Sequence, residues 1–275
     1  MAASEANEEV RQVWNTVAPG WDRHRTEVFE QQRTVSERLI EAIGASDGAT
    51  ILELTAGPGE TGLLLAELNP GARVIVSDFA PLMVEAATRA AEARKLPNVE
   101  VRQIDAQDID LPDDSVDGVL SRYGLMLIPE PDRAASEIRR VLRPGKPLAY
   151  AVWGPLEANP WMMLFGAVFI QRGHFMPEEG GPFSLTTPDE NEALLQSAGF
   201  SNVEVETVDN TVNFASVEDY WDLTSSVSGP LAVIAQGLPP EEHAELRSLL
   251  ESFTQGFRTD DGLSMPSQSI FVRAS

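Results

Sequence analysis

Gly57, Gly59 and Gly62 are spaced as G-x-G-x-x-G, directly after the apolar run Ile51-Leu52-Glu53-Leu54 and at the start of a helical run. Glycines in such a turn let the backbone come close to a ligand. A second run, Val74-Ile75-Val76-Ser77, ends on Asp78, 21 residues after Gly57. A carboxylate there can accept hydrogen bonds from a ribose diol. The layout is that of a nucleoside cofactor site, and two further acids bear on which nucleoside. Glu53 lies four residues before Gly57. It would repel a pyrophosphate, and it suits a ligand carrying an ammonium and a sulfonium. Asp105 ends a third run, where it can accept from an exocyclic adenine amine.

Other reactive side chains are sparse. The three histidines, His24, His174 and His243, lie far apart and form no H-x-x-x-H pair, so no metal site is expected. Arg122 and Tyr123 follow a fourth apolar run, at the strand end where open α/β sheets bind ligands. Tyr123 is a candidate to orient an acceptor or a sulfonium. His174 is the best candidate base. It lies within a stretch rich in aromatics: Trp153, Trp161, Phe165, Phe169, Phe175 and Phe183. These rings would line a mostly apolar acceptor pocket or form a small core of their own. No nucleophile elbow or P-loop lysine is present.

The elements that must position these residues follow from the pattern. Strands are expected at 50–54, 73–77, 99–104, 117–121 and 147–153, with helices at 60–68, 81–95 and 131–142. Short apolar strands alternating with amphipathic helices imply a parallel sheet with right-handed crossovers, a doubly wound Rossmann-like α/β fold. Residues 8–43 read as helical with a break at Ala18-Pro19-Gly20. The αβ pattern recurs over 188–207, residues 209–266 read as mostly helical, and a last edge strand is expected at 269–273. The expected organisation is one domain over 1–275. It comprises a helical lid at 1–48, a cofactor-binding core at 49–153, and cap insertions at 154–186 and 209–266.

Composition sets the setting. The 275 residues include no cysteine, which excludes disulfides and thiolate chemistry and fits a cytoplasmic protein. The net charge of −23 repels phosphate backbones, so nucleic acid is not an expected partner. No apolar run reaches about 18 residues, so no membrane span is expected. The oligomeric state is open, a homodimer being one option.

In order, Glu53-Leu-Thr-Ala-Gly-Pro-Gly59, Asp78, Asp105-Ala106 and Arg143-Pro-Gly145 resemble the class I S-adenosylmethionine-dependent methyltransferases, in particular the small-molecule group related to quinone methyltransferases. The resemblance covers about residues 14–153 and fades in the caps. The family motif usually has glycine where this chain has Thr55. The segment Trp14–Asp22, with Trp21, is similar to the family's amino-terminal element that folds over the cofactor. The resemblance implies a seven-strand sheet, mostly parallel with an antiparallel last strand. It also implies methyl transfer from S-adenosylmethionine to a small molecule. Glu53 would meet the methionine ammonium, directly or through water, and the backbone of Thr55, Ala56, Gly57 and Gly59 would surround methionine and ribose. Asp78 would take the ribose diol. Phe79 and Met83 would pack on adenine, while Asp105 and the Ala106 amide read its edge. Ser121 and Arg122 would approach the methionine through their backbone. Two rivals remain: a nicotinamide-dependent oxidoreductase, disfavoured by Glu53, Asp105-Ala106 and the lack of Tyr-x-x-x-Lys, and a non-catalytic adenosyl-ligand-binding protein of the same fold.

Overall fold

The apolar runs become the centre of one sheet. A computed structural model describes residues 2–176 and 184–275, so Phe183 and part of the expected first cap lie outside the described residues. Five strands are parallel: β1 (Thr50–Glu53), β2 (Arg73–Asp78), β3 (Val99–Gln103), β4 (Gly118–Arg122) and β5 (Leu148–Trp153). Three more follow: β6 (Glu204–Phe214), the two-residue β7 (Arg258–Thr259) and β8 (Gly262–Ala274). The order is β3-β2-β1-β4-β5-β8-β6, with β7 paired to β8. β8 is antiparallel to both β5 and β6. The expected antiparallel last strand is therefore present. It is longer than expected, and β7 makes the sheet eight-stranded.

Helices cover both faces. α3 (Arg33–Ile43), α4 (Glu60–Leu68) and α5 (Pro81–Arg94) pack Leu39, Ile43, Leu63 and Ala87 against Ile51, Val74, Val76 and Leu120. α6 (Pro131–Val141) and α8 (Pro188–Ser197) pack Ile138, Leu194 and Leu195 against Leu52, Val119, Leu148 and Tyr150. β1, β2, β4 and β5 are buried along nearly their whole length, as strands covered on both faces require.

Two expectations need correction. α1 (Ala2–Arg23) runs unbroken through Pro19, with α2 (Arg25–Gln31) after it. The Pro-Gly pair is not a break, because Val17, Ala18 and Trp21 pack against Ala80 and Met83 and hold the helix in register. Residues 209–214 and 262–266 are strand, not helix. β6 pairs with β8 from Glu204–Arg273 to Phe214–Leu263, whereas β5 reaches β8 only as far as Ser269. The two strands thus run past the sheet as a ribbon. On it sit α7 (Pro160–Gln171), α9 (Val217–Val227), α10 (Pro230–Gly237) and α11 (Pro240–Phe253). Phe165, Phe169, Tyr220, Trp221, Leu246 and Leu250 fill the space between these helices and Val212, Phe214 and Met265.

Candidate active site

Strand order reverses between β1 and β4, and the glycine turn leaves β1 at this point. Open α/β sheets bind ligands in the crevice outside the strand ends at such a switch. Register places the chemistry: Glu53 lies beside Val76 of β2 and Leu120 of β4. Asp78 and Arg122, each two residues further on, therefore flank the turn.

Gly57 and Gly59 both adopt left-handed backbone (φ 56° and 86°). A methyl on Gly59 would come within 3.0 Å of Val76 and 3.2 Å of Ala87, so the turn also packs against β2 and α5. The Ala56 amide donates to the Ser77 carbonyl (2.9 Å), and the Gly57 amide donates to Asp78 Oδ2 (2.9 Å). The other Asp78 oxygen accepts from the Ala80 amide (2.9 Å) at the start of α5. Asp78 therefore clamps turn to helix. Burial pushes its carboxyl up to about 6, against the pull of those amides.

Glu53 is buried, and its Oε2 accepts from the Gly62 amide (3.0 Å). A methyl at position 62 would overlap that carboxylate, which explains the third glycine. Burial pushes Glu53 up to about 8, opposed by the positive charge of Arg122. A buried carboxyl near its neutral point will ionise readily beside a ligand ammonium.

Thr55 takes a left-handed conformation (φ 54°), and its hydroxyl lies 2.8 Å from that of buried Ser121. Tyr123, one residue past the end of β4, is also left-handed (φ 59°). Its ring stacks on Trp153 with centroids 3.7 Å apart and planes 7° apart, and Trp161 meets Trp153 edge-on at 5.3 Å. The Tyr123 hydroxyl donates to Gln32 Oε1 and lies 2.8 Å from Ser269 Oγ. Burial raises its pKa, so Tyr123 can form a wall but is poorly suited to act as a base.

Phe79, Met83 and Trp21 meet in one cluster with Val17 and Ala18 of α1, where sequence reading put the adenine side and its cover. The Trp21 indole donates to the Val227 carbonyl (3.0 Å), which anchors α1 to α9. Asp105 accepts from the Gln107 amide (2.8 Å) and from Asn7 Nδ2 of α1 (3.1 Å), next to buried Ala106. Asn7, Gln107 and Arg25 carry no signal in the sequence, since single polar residues have no periodicity to mark them. Arg25 donates to Glu60 (2.7 Å) and to the Pro58 carbonyl (2.6 Å), tying α2 to the glycine turn.

His174 is not joined to this group. It follows α7, and its Nε2 lies 2.9 Å from Glu242 of α11, which also pairs with Arg172. The expected aromatic lining divides as well. Trp153 and Trp161 stand at the site, whereas Phe165, Phe169 and Phe175 belong to the core of the cap. Among the described residues no cluster of three or more metal-ligating side chains occurs.

The comparisons agree with this geometry. A family described as "Methyltransferase domain" matches residues 51–145, the span from β1 to the turn before β5. A demethylmenaquinone methyltransferase from Thermus thermophilus is 33% identical over 205 residues, 69% of this chain and 91% of that protein. A malonyl-[acyl-carrier protein] O-methyltransferase from a Paenibacillus species is 25% identical over 263 residues, 92% of each chain. The crystal structure of a protein described as a methyltransferase from Bacillus halodurans superposes with a TM-score of 0.60 at 19% identity, covering 87% of this chain and 97% of that one, which bears on fold alone. The glycine turn at the switch point, the clamp on Asp78 and this kinship converge: the chain belongs to the class I S-adenosylmethionine-dependent methyltransferases, in the small-molecule group related to the quinone methyltransferases.

Proposed function

We propose that the acceptor is a largely apolar, ring-bearing small molecule seated against Tyr123, Trp153 and Trp161, and that transfer proceeds in line with no dedicated general base. The observation that carries this is the aromatic wall at the ends of β4 and β5, next to the Thr55–Ser121 contact at the cofactor turn. The name of the Thermus relative, a demethylmenaquinone enzyme, supports a ring acceptor.

When bound, S-adenosylmethionine supplies a methyl group already activated on sulfur. The chain's task is to bring the acceptor atom into line at about 3–3.5 Å and to exclude water. In this reading Glu53 faces the ammonium and Asp78 takes the ribose diol with its unused lone pairs. Phe79 and Met83 back the adenine, and Asp105 with the Ala106 amide reads its edge. Thr55, Ala56, Gly57 and Gly59 supply the surrounding turn, Ser121 borders it from β4 and Trp21 fixes the lid. Lid, core and cap act as one domain, and the acidic, cysteine-free composition fits a cytoplasmic enzyme with small molecules as partners.

Calorimetry should show saturable binding of S-adenosylhomocysteine and none of NAD. Aromatic contacts contribute about 0.5–1.5 kcal/mol, so Trp153→Leu should raise KM for a hydroxylated ring acceptor about three- to tenfold. Affinity for S-adenosylhomocysteine should stay unchanged. An unaltered KM would remove the wall from the acceptor site.

A further inference from the structure

The Arg122 side chain takes no part in the hydrogen bonds that hold the glycine turn and the aromatic wall. It ends β4 with its guanidinium between the rings of Phe29 and Tyr123, 5.8 Å from each centroid. Its buried Nη1 has no hydrogen-bond partner among the described residues. A buried cationic donor left unpaired is costly, and such groups are ordinarily satisfied by a carboxylate or a ligand. The nearby acids do not satisfy it. Glu60 is held by Arg25 and Arg94. Glu53 lies on the same face of the sheet and each charge shifts the other's ionisation, yet no ion pair joins them among the described residues. A partly buried cation, its Nη1 buried and unpaired, and a buried carboxylate thus flank the switch point without meeting.

That spacing of opposite charges suits a zwitterion. We propose that the Arg122 guanidinium takes the carboxylate of the cofactor's methionine while Glu53 takes its ammonium, so that two side chains on adjacent strands read the amino acid end of the ligand. The assignment rests on the cofactor placement given above and adds a side chain whose backbone alone was expected to contribute. Arginine suits the role because its planar fork matches a carboxylate and stays charged when buried. Phe29, carried by α2, lies against the guanidinium, so the lid also bears on this contact.

The test is calorimetric and uses the full chain without turnover. Three ligands are compared: S-adenosylhomocysteine, its decarboxylated analogue and methylthioadenosine. Wild type should bind S-adenosylhomocysteine at least about tenfold more tightly than the decarboxylated analogue, as expected for a charge-assisted pair. Arg122→Met should abolish that preference while leaving affinity for the decarboxylated analogue and methylthioadenosine within about twofold, and Arg122→Lys should restore part of it. Equal binding of the first two ligands by wild type overturns the carboxylate assignment alone, even if Arg122→Met does not fold. Equal weakening of all three ligands in Arg122→Met marks a structural role and also overturns it. No binding of S-adenosylhomocysteine by wild type overturns the cofactor placement itself.

Discussion

Thr55 occupies a backbone position (φ 54°) that glycine fills with least strain and that β-branched residues rarely adopt. Such a conformation costs on the order of 1–3 kcal/mol and persists only where its surroundings hold it. Here the hydroxyl binds Ser121, and room for the side chain comes from Gly124, where any methyl would overlap the Thr55 hydroxyl. Gly124 has an ordinary φ of −111°, so space and not backbone freedom requires glycine there. The side chain gained at 55 and the one absent at 124 are therefore a matched pair. Gly124→Ala should destabilise by about 1–3 kcal/mol alone and by much less in a Thr55→Gly background. Urea unfolding of the four proteins reads the coupling directly, and strictly additive effects would show that crowding is not the cause. At this scale the sequence exposed only half of the arrangement. The departure at Thr55 stood out against the family motif, but Gly124 lies about 70 residues away and makes sense only once β1 and β4 are adjacent.

From β1 to β5 the elements were legible to within a residue or two, because β1, β2, β4 and β5 are short, mostly apolar runs, β3 alternates apolar and polar residues, and each helix has a clear stop. The lid and cap were not. Pro19-Gly20 reads as a break, yet Gly20 sits inside α1 where any side chain would strike the Ser226 carbonyl of α9. The glycine marks a close crossing of helices, a signal identical in sequence to that of a turn. Residues 209–214 carry polar side chains on one face of a ribbon beyond β5, so the burial that identifies a strand is confined to Val212 and Phe214. Because α1 also reaches Asp105 through Asn7 and α5 through Asn15 and Asp22, its seating on α9 should control access to the adenine side. Gly20→Ala should lower stability by about 1–3 kcal/mol and expose residues 1–23 to protease, with the sheet left intact. Wild-type melting and protection would show that the crossing tolerates a methyl.

Across the whole molecule, two acids at the site are buried in a chain whose formal net charge is −23. In an unfolded chain both ionise near pH 4. In the folded chain burial holds Asp78 at about 6 and Glu53 at about 8. Between those limits the folded protein binds more protons than the unfolded one, so these acids make stability fall as pH rises from about 4 to 8. Surface repulsion acts in the same direction, because acidification reduces the negative charge. Asp117 and Glu137 act oppositely. Amide and arginine partners hold both below the usual carboxylate range, and their contribution is lost only as pH falls below about 4. Stability should therefore peak between about pH 4 and 6. Salt separates the two causes, since 0.5 M NaCl screens exposed charges but reaches buried ones poorly. Glu53→Gln should raise stability at pH 8 by on the order of 1–4 kcal/mol and flatten the dependence that persists in salt. Cofactor affinity should move the other way. If the ionised Glu53 receives the ammonium, binding of S-adenosylhomocysteine weakens as pH drops below about 8. In Glu53→Gln the binding is weaker throughout and indifferent to pH between about 7 and 8, above the range in which Asp78 titrates. A variant that loses stability at pH 8, or that keeps the wild-type pH dependence of binding, would show that Glu53 is held in the site as a structural carboxylate and not as the group that meets the ligand.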